Sequence, residues 1–120
     1  MMKILVIDDE APIRNVLKIH LENASYKVST AATGKEGIEL ALSDEFDLIL
    51  CDLKLTDMSG IDIIRTVRVS NDTVPMLAIS GFINNDVIEE VSSVNNVGYL
   101  SKPFLKEELL DAVNSILGDT

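Results

Sequence analysis

The sequence has little of what marks secreted, membrane-spanning or nucleic-acid-binding proteins. It has a single cysteine, Cys51, so it cannot form an internal disulfide, and a reducing cytoplasmic setting is the simplest expectation. Its longest apolar runs, such as 4–7 and 48–51, are far too short to cross a bilayer, and residues 1–10 lack a signal-peptide pattern. Only 10 basic residues stand against 20 acidic ones, a formal charge of −10. Direct binding to nucleic acid or to anionic lipid is therefore not expected.

What the sequence does contain is typical of a soluble globular domain. Of its 120 residues, 47% are hydrophobic and 25% are charged, which excludes a disordered chain, a collagen-like fibre and a disulfide-rich scaffold. No repeat, low-complexity tract or linker interrupts it. The length and this continuity predict one domain over residues 1–120.

Short apolar runs alternate with helical patterns along the whole chain. Five runs predict strands, at residues 4–7, 27–31, 48–51, 75–80 and 97–101. Each is followed by apolar residues at helical spacing, for example Val16 and Leu17 after the first run and Leu42 after the second. Gly118 is a predicted stop for the last helix. Five such units indicate an α/β fold in which helices cover both faces of a parallel sheet.

Polar side chains suited to phosphate or metal chemistry stand at four of the five predicted strand ends. These are the triplet 8–10 (Asp-Asp-Glu), Asp52, Ser80 and Lys102. In open parallel sheets, ligands bind beyond the carboxyl ends of the strands, where the winding direction reverses. Clustered carboxylates raise one another's pKa unless a cation lies among them, and an open set of oxygen ligands suits Mg²⁺. A carboxylate can also attack phosphorus to form an aspartyl phosphate, whose charge a metal, a lysine and a hydroxyl would stabilise.

Each of these residues has a simpler structural interpretation when taken alone. An Asp or Ser at a strand-to-helix junction often caps a helix, and a single lysine is usually at the surface. Phosphoryl chemistry is favoured because all of these groups fall on one rim of one predicted sheet.

The chain resembles, from end to end, the receiver domain of bacterial two-component response regulators. The matching segments are 6–10, 46–52, 79–81 and 99–104, in the family's order and spacing. The resemblance implies a doubly wound, flavodoxin-like sheet of five parallel strands in the order 2-1-3-4-5, with five helices. It also implies a cytoplasmic phosphoprotein of a phosphorelay, which accepts a phosphoryl group and loses it slowly without being a turnover enzyme.

The resemblance also assigns a role to individual residues. Asp52 is implied to be the phosphoacceptor, Lys102 and Ser80 to contact the phosphoryl oxygens, and Tyr99 to change rotamer as Ser80 moves. The implied Mg²⁺ ligands are Asp8 (largely through water), Asp9, Asp52 and the backbone carbonyl of Lys54. The bond between Lys102 and Pro103 is implied to be cis.

The implied partners are a histidine kinase or phosphotransfer protein and a downstream effector protein. The effector is expected to bind the face of the fourth helix, fifth strand and fifth helix, where Val97 and Leu105 are predicted to be exposed. DNA-binding relatives dimerise there through ion pairs. This chain has Gly98 in place of their acid and no base in the last helix after Lys106, so a monomer or weak dimer is expected.

Departures from the family pattern bear on the loop after Asp52. The family usually has a proline four residues on, where this chain has Thr56, so a less rigid loop is expected. Lys54 and Phe82 occupy the positions that flank the hydrolytic water in the family. Neither side chain is suited to orient a water, which predicts a long-lived phosphoryl group.

Three alternatives remain open at this point. A flavodoxin-like cofactor-binding protein is disfavoured because no glycine- and hydroxyl-rich phosphate loop follows the first strand. A receiver cut from a longer regulator with an output domain is compatible with the end of the chain at residues 118–120. A degenerate receiver that is never phosphorylated is disfavoured because the site is complete.

Overall fold

The computed structural model describes residues 1–81 and 83–118, in which strands and helices alternate. The strands are β1 (Lys3–Ile7), β2 (Lys27–Ala31), β3 (Leu48–Asp52), β4 (Met76–Ser80) and β5 (Val97–Ser101). The helices are α1 (Ala11–Asn23), α2 (Gly34–Ser43), α3 (Gly60–Ser70), α4 (Asn85–Ser92) and α5 (Lys106–Leu117). Within these ranges, none of the helices combines the length and the apolar character that crossing a membrane requires.

The strands form one parallel sheet in the order β2-β1-β3-β4-β5, which confirms the expected topology. The chain winds from β1 outward to β2 and then returns to the other side of β1 to form β3. The winding direction therefore reverses between β1 and β3, where open α/β sheets bind their ligands. β3 lies in the middle of the sheet, and all five of its residues are buried.

Two hydrophobic clusters cover the two faces of the sheet. Leu17 and Leu21 of α1 pack with Leu109 and Val113 of α5 on one face, while α2, α3 and α4 cover the other face. Alternate residues of the central strands belong to opposite clusters, so these strands are apolar on both sides. This explains the continuous apolar runs of the sequence.

Three of the helices begin at a capping polar side chain, and the last helix ends at a glycine. Thr33, Ser59 and Asn84 accept hydrogen bonds from backbone N–H groups in the first turns of α2, α3 and α4. Gly118 adopts a left-handed conformation (φ 64°) directly after α5, as predicted.

Two apolar residues assigned to core-facing stripes lie at the surface instead. Val16 is 46% exposed and Leu42 is 51% exposed. In α1 the buried positions are Leu17 and Leu21, one full turn apart, so Val16 lies beyond the edge of the face that packs on the sheet.

Candidate functional site

The carboxyl ends of β1, β3 and β4 bring together three buried polar side chains. Among residues 1–81 and 83–118, Asp8, Asp52 and Ser80 are the polar or charged residues that are buried, with exposed fractions of 1%, 4% and 4%. Asp8 directly follows β1, while Asp52 and Ser80 are the last residues of β3 and β4. Burying a charge is costly unless it is paired. The buried carboxyl groups at this rim of the sheet therefore require charged or hydrogen-bonding partners.

Lys102 reaches into this rim from the end of β5. Its Nζ lies 3.2 Å from Asp8 Oδ2 and 3.2 Å from Asp52 Oδ2, and it is 3.5 Å from the exposed carboxylate of Glu10. Burial acts to lower the pKa of Lys102, but the charges of Asp52 and Asp8 outweigh it and raise that pKa overall. The ammonium group therefore stays protonated among the carboxylates.

Asp8 has a raised pKa. Burial is the main cause, and it outweighs the hydrogen bond from the Glu10 N–H and the attraction of Lys102, both of which act to lower the pKa. The charge of Asp52 raises it further. An added cation among these carboxylates would relieve both the burial cost and the repulsion.

Backbone and side-chain donors orient the carboxylates. The Glu10 N–H donates to Asp8 Oδ1 (2.8 Å), the Lys54 N–H to Asp52 Oδ1 (3.1 Å) and the Thr56 N–H to Asp9 Oδ2 (3.1 Å). Each bond engages one oxygen of its carboxylate. The other oxygens of Asp8 and Asp52 face Lys102 Nζ.

The donor set suits a hard divalent cation. One oxygen from each of Asp8, Asp9, Glu10 and Asp52 lies within 4.8 Å of all the others. The set consists entirely of oxygen atoms, and its members range from buried Asp8 to exposed Glu10, so solvent can supply further ligands. This chemistry fits Mg²⁺.

Ser80 and Tyr99 lie on adjacent strands. Ser80 pairs with Ser101 and Tyr99 pairs with Ala78 in the register of β4 with β5, so both side chains are on the same face of the sheet. Tyr99 is 46% exposed. The Lys102 N–H donates to the Ser80 carbonyl (2.8 Å), and the Lys102–Pro103 bond is cis, as the resemblance implies.

Not every residue singled out from the sequence behaves as expected. Leu105 is 66% exposed, but Val97 is partly buried and packs against the core, so its prediction as an exposed contact is wrong. β5 is an edge strand, yet α4 covers one of its faces. Phe82, which bears on the predicted phosphoryl lifetime, lies outside the described residues.

Sequence reasoning missed two residues that support the site. The Arg14 guanidinium donates to the Asp8 carbonyl (2.7 Å), and the Asp57 carboxylate accepts hydrogen bonds from the N–H groups of Gly34 and Lys35. The Gly34 bond is the main reason that the pKa of Asp57 lies below its ordinary value. The sequence shows an acidic residue in the loop after Asp52. It does not show the partners of that residue, which lie more than 20 positions away in the chain.

The fold and the site together define a flavodoxin-like domain with a lysine and a buried carboxylate pair at its topological switch point. The sequence profile of the response regulator receiver domain matches residues 4–114, and the chain belongs to that family. It is therefore a receiver domain, which is consistent with a phosphoacceptor signalling switch.

Similar proteins include both longer regulators and separate receivers. The cell cycle transcriptional regulator CtrA of Caulobacter vibrioides is 33% identical over 116 residues, which are 97% of this chain and 50% of the relative. The chain thus spans about half the length of the curated relatives it matches. The Vibrio cholerae chemotaxis protein CheY4 is 31% identical with a TM-score of 0.92, over 97% of this chain and 98% of that one.

A structure with a bound ion is also similar. The response regulator TrrA of Thermotoga maritima, solved in complex with Mg²⁺ and BeF, is 26% identical with a TM-score of 0.88. The match covers 97% of this chain and 99% of that one.

Proposed function

We propose that this chain is a phosphoryl-accepting switch in which Asp52 takes the phosphoryl group from a histidine kinase or phosphotransfer protein. The observation that carries the proposal is the position of Lys102 Nζ, 3.2 Å from both Asp8 and Asp52, beside four carboxylates clustered within 4.8 Å. We propose that residues 1–120 form one cytoplasmic receiver domain.

In the transfer step, an oxygen of the Asp52 carboxylate attacks phosphorus. A new O–P bond forms as the N–P bond of the phosphohistidine breaks, and the electron pair of that bond remains on the imidazole nitrogen. The Lys54 N–H holds Asp52 Oδ1, which fixes the plane of the attacking carboxylate. Holding the carboxylate in this orientation lowers the activation free energy of transfer, because less orientational freedom is lost in the transition state.

Asp8, Asp9, Asp52 and the backbone carbonyl of Lys54 are proposed to hold Mg²⁺. When bound, the ion supplies positive charge that offsets the repulsion between the carboxylate and the incoming phosphoryl oxygens. Lys102 adds a second positive charge, and its raised pKa keeps it protonated during the transfer.

After transfer, Ser80 and Lys102 are proposed to bind the phosphoryl oxygens. The Lys102 N–H donates to the Ser80 carbonyl, so the two residues are neighbours at this rim of the sheet. Tyr99 lies on the same face as Ser80 and is half exposed, which supports its proposed role in altering the surface that an effector protein binds. Slow loss of the phosphoryl group, without turnover of a separate substrate, completes the proposal.

The test is phosphorylation by acetyl phosphate with Mg²⁺, followed by intact-mass measurement. The unaltered protein should gain one phosphate, and Asp52→Asn should gain none because the amide is not a nucleophile at this site. Asp111→Asn, an exposed change on α5, is the matched control and should label fully. Labelling of Asp52→Asn to the level of the unaltered protein would refute the assignment.

A further inference from the structure

The loop between β3 and α3, residues 53–59, carries backbone donors to two of the proposed metal ligands. We infer that Asp57 is a positioning residue for the Mg²⁺ site, acting by fixing this loop against the first turn of α2. The inference rests on the proposed function, since it concerns the same site. It assigns a role to a residue that contacts neither the metal nor the phosphoryl group.

The loop orients Asp52 and Asp9 through its main chain. The Lys54 N–H donates to Asp52 Oδ1 and the Thr56 N–H donates to Asp9 Oδ2, both at 3.1 Å. The position of these two carboxylates therefore depends on the position of the loop.

Asp57 joins the loop to α2 through both of its carboxylate oxygens. Oδ1 lies 2.9 Å from the Gly34 nitrogen and Oδ2 lies 3.1 Å from the Lys35 nitrogen. The first N–H groups of a helix have no partner within the helix, and the helix dipole favours an anion there. The Thr33 side chain accepts from the Glu36 N–H, so Asp57 completes a cap that Thr33 begins.

Close packing beside Asp57 holds the loop to the same helix. A Cβ atom added to Gly34 would lie 2.7 Å from Met58 Sδ and 2.9 Å from Ile63 Cδ1, so the glycine lets these side chains lie close against the start of α2. The helix and the loop are thus joined by two hydrogen bonds at Asp57 and by contact at Met58.

Thr56 contributes one of the two main-chain donors of this loop. A proline at this position, usual in the family, would stiffen the loop but has no N–H. Thr56 instead donates its N–H to Asp9, a bond that proline could not make. The hydrogen bonds of Asp57 hold the loop that carries this donor against α2.

The experiment measures the Mg²⁺ dissociation constant of the unphosphorylated protein by NMR titration. Asp57→Ala should weaken binding several-fold, less than the roughly 10- to 100-fold cost of removing a direct partner of a metal ligand. It should also reduce hydrogen-exchange protection at the Lys54 and Thr56 amides. Asp57→Asn loses the same charge but keeps one oxygen acceptor, so its Mg²⁺ affinity should lie between those of the unaltered protein and Asp57→Ala.

Thr33→Ala is the control for a merely structural effect, because it removes the other cap of α2 without touching the loop. It should lower the free energy of unfolding and leave Mg²⁺ affinity unchanged. Equal affinities for the unaltered protein and Asp57→Ala would overturn the inference, as would equal losses in Asp57→Ala and Asp57→Asn or in Asp57→Ala and Thr33→Ala. Absence of Mg²⁺ binding by the unaltered protein would instead refute the proposed metal site itself.

Discussion

The Asp8 carboxyl group is buried, and its hydrogen bond and ion pair only partly offset the cost of burying its charge. Its exposed fraction is 1%, and burial raises its pKa despite the hydrogen bond from Glu10 and the nearby Lys102. A raised pKa in the folded state means that the folded protein binds a proton more tightly than the unfolded chain does. Stability in metal-free buffer is therefore lost as pH rises from the ordinary value of 3.8 through the raised pKa.

Asp8→Asn should accordingly increase the free energy of unfolding at neutral pH in metal-free buffer. The neutral amide removes a buried charge and its repulsion with Asp52, while keeping an oxygen that can accept the Glu10 N–H. The increase in the free energy of unfolding should become smaller as pH falls below 3.8, because Asp8 is then protonated in both the folded and the unfolded state.

Urea unfolding across the pH range measures this effect. Asp111→Asn again serves as the exposed control and should show little change. A loss of stability at neutral pH in Asp8→Asn would mean that the pairing with Lys102 outweighs the burial cost.

At the scale of secondary structure, α3 begins unusually close to the end of β3. A Cβ atom added to Gly60 would lie 2.6 Å from Leu53 Cα and would also collide with the Asp52 carbonyl oxygen. The Gly60 N–H donates to the Leu53 carbonyl (3.0 Å), so the loop folds back on itself just behind the phosphoacceptor. Both collisions are with backbone, which cannot move aside as a flexible side chain would.

Gly60→Ala should therefore destabilise the protein by about 1–3 kcal/mol or more, the usual cost of forcing extra atoms into a packed region. Gly81→Ala is the matched control, because the one contact its Cβ would make with described residues beyond its chain neighbours is with Lys102 Cβ, at 3.9 Å. Urea unfolding of both variants is the measurement. A Gly60→Ala variant as stable as Gly81→Ala would show that the start of α3 can shift freely.

For the molecule as a whole, charge opposes self-association. The formal charge is −10, and α5 carries Glu107, Glu108 and Asp111 but no base after Lys106. Leu105 and Tyr99 are exposed near one another in the chain, at 66% and 46%, so the proposed effector face offers apolar contacts for a different protein.

We expect the phosphorylated protein to sediment as a monomer or weak dimer, with any association weaker at low salt, where like charges are least screened. Sedimentation velocity at two salt concentrations tests this. A tight symmetric dimer through the face of α4, β5 and α5 would contradict it.

The sequence by itself was enough to predict a parallel α/β sheet and the location of the site, while the strand order came from the family resemblance. Buried parallel strands must be apolar on both faces, so β1, β3 and β4 appear as continuous runs, and the polar residues that end them are conspicuous. The rim occupied by Asp8, Asp52, Ser80 and Lys102 follows from this pattern, and the resemblance supplies their roles. β2, by contrast, lies at the edge of the sheet, and only one of its five residues is fully buried.

Only the tertiary structure decided how the site is supported. The contacts of Asp57 with Gly34 and Lys35, and of Thr56 with Asp9, join residues more than 20 positions apart through main-chain N–H groups. Every residue except proline has such a group, so no side-chain pattern marks the partner. The exposure of Val16 and the partial burial of Val97 were also beyond the sequence, because apolar periodicity identifies a face but the neighbouring elements determine how far it is covered.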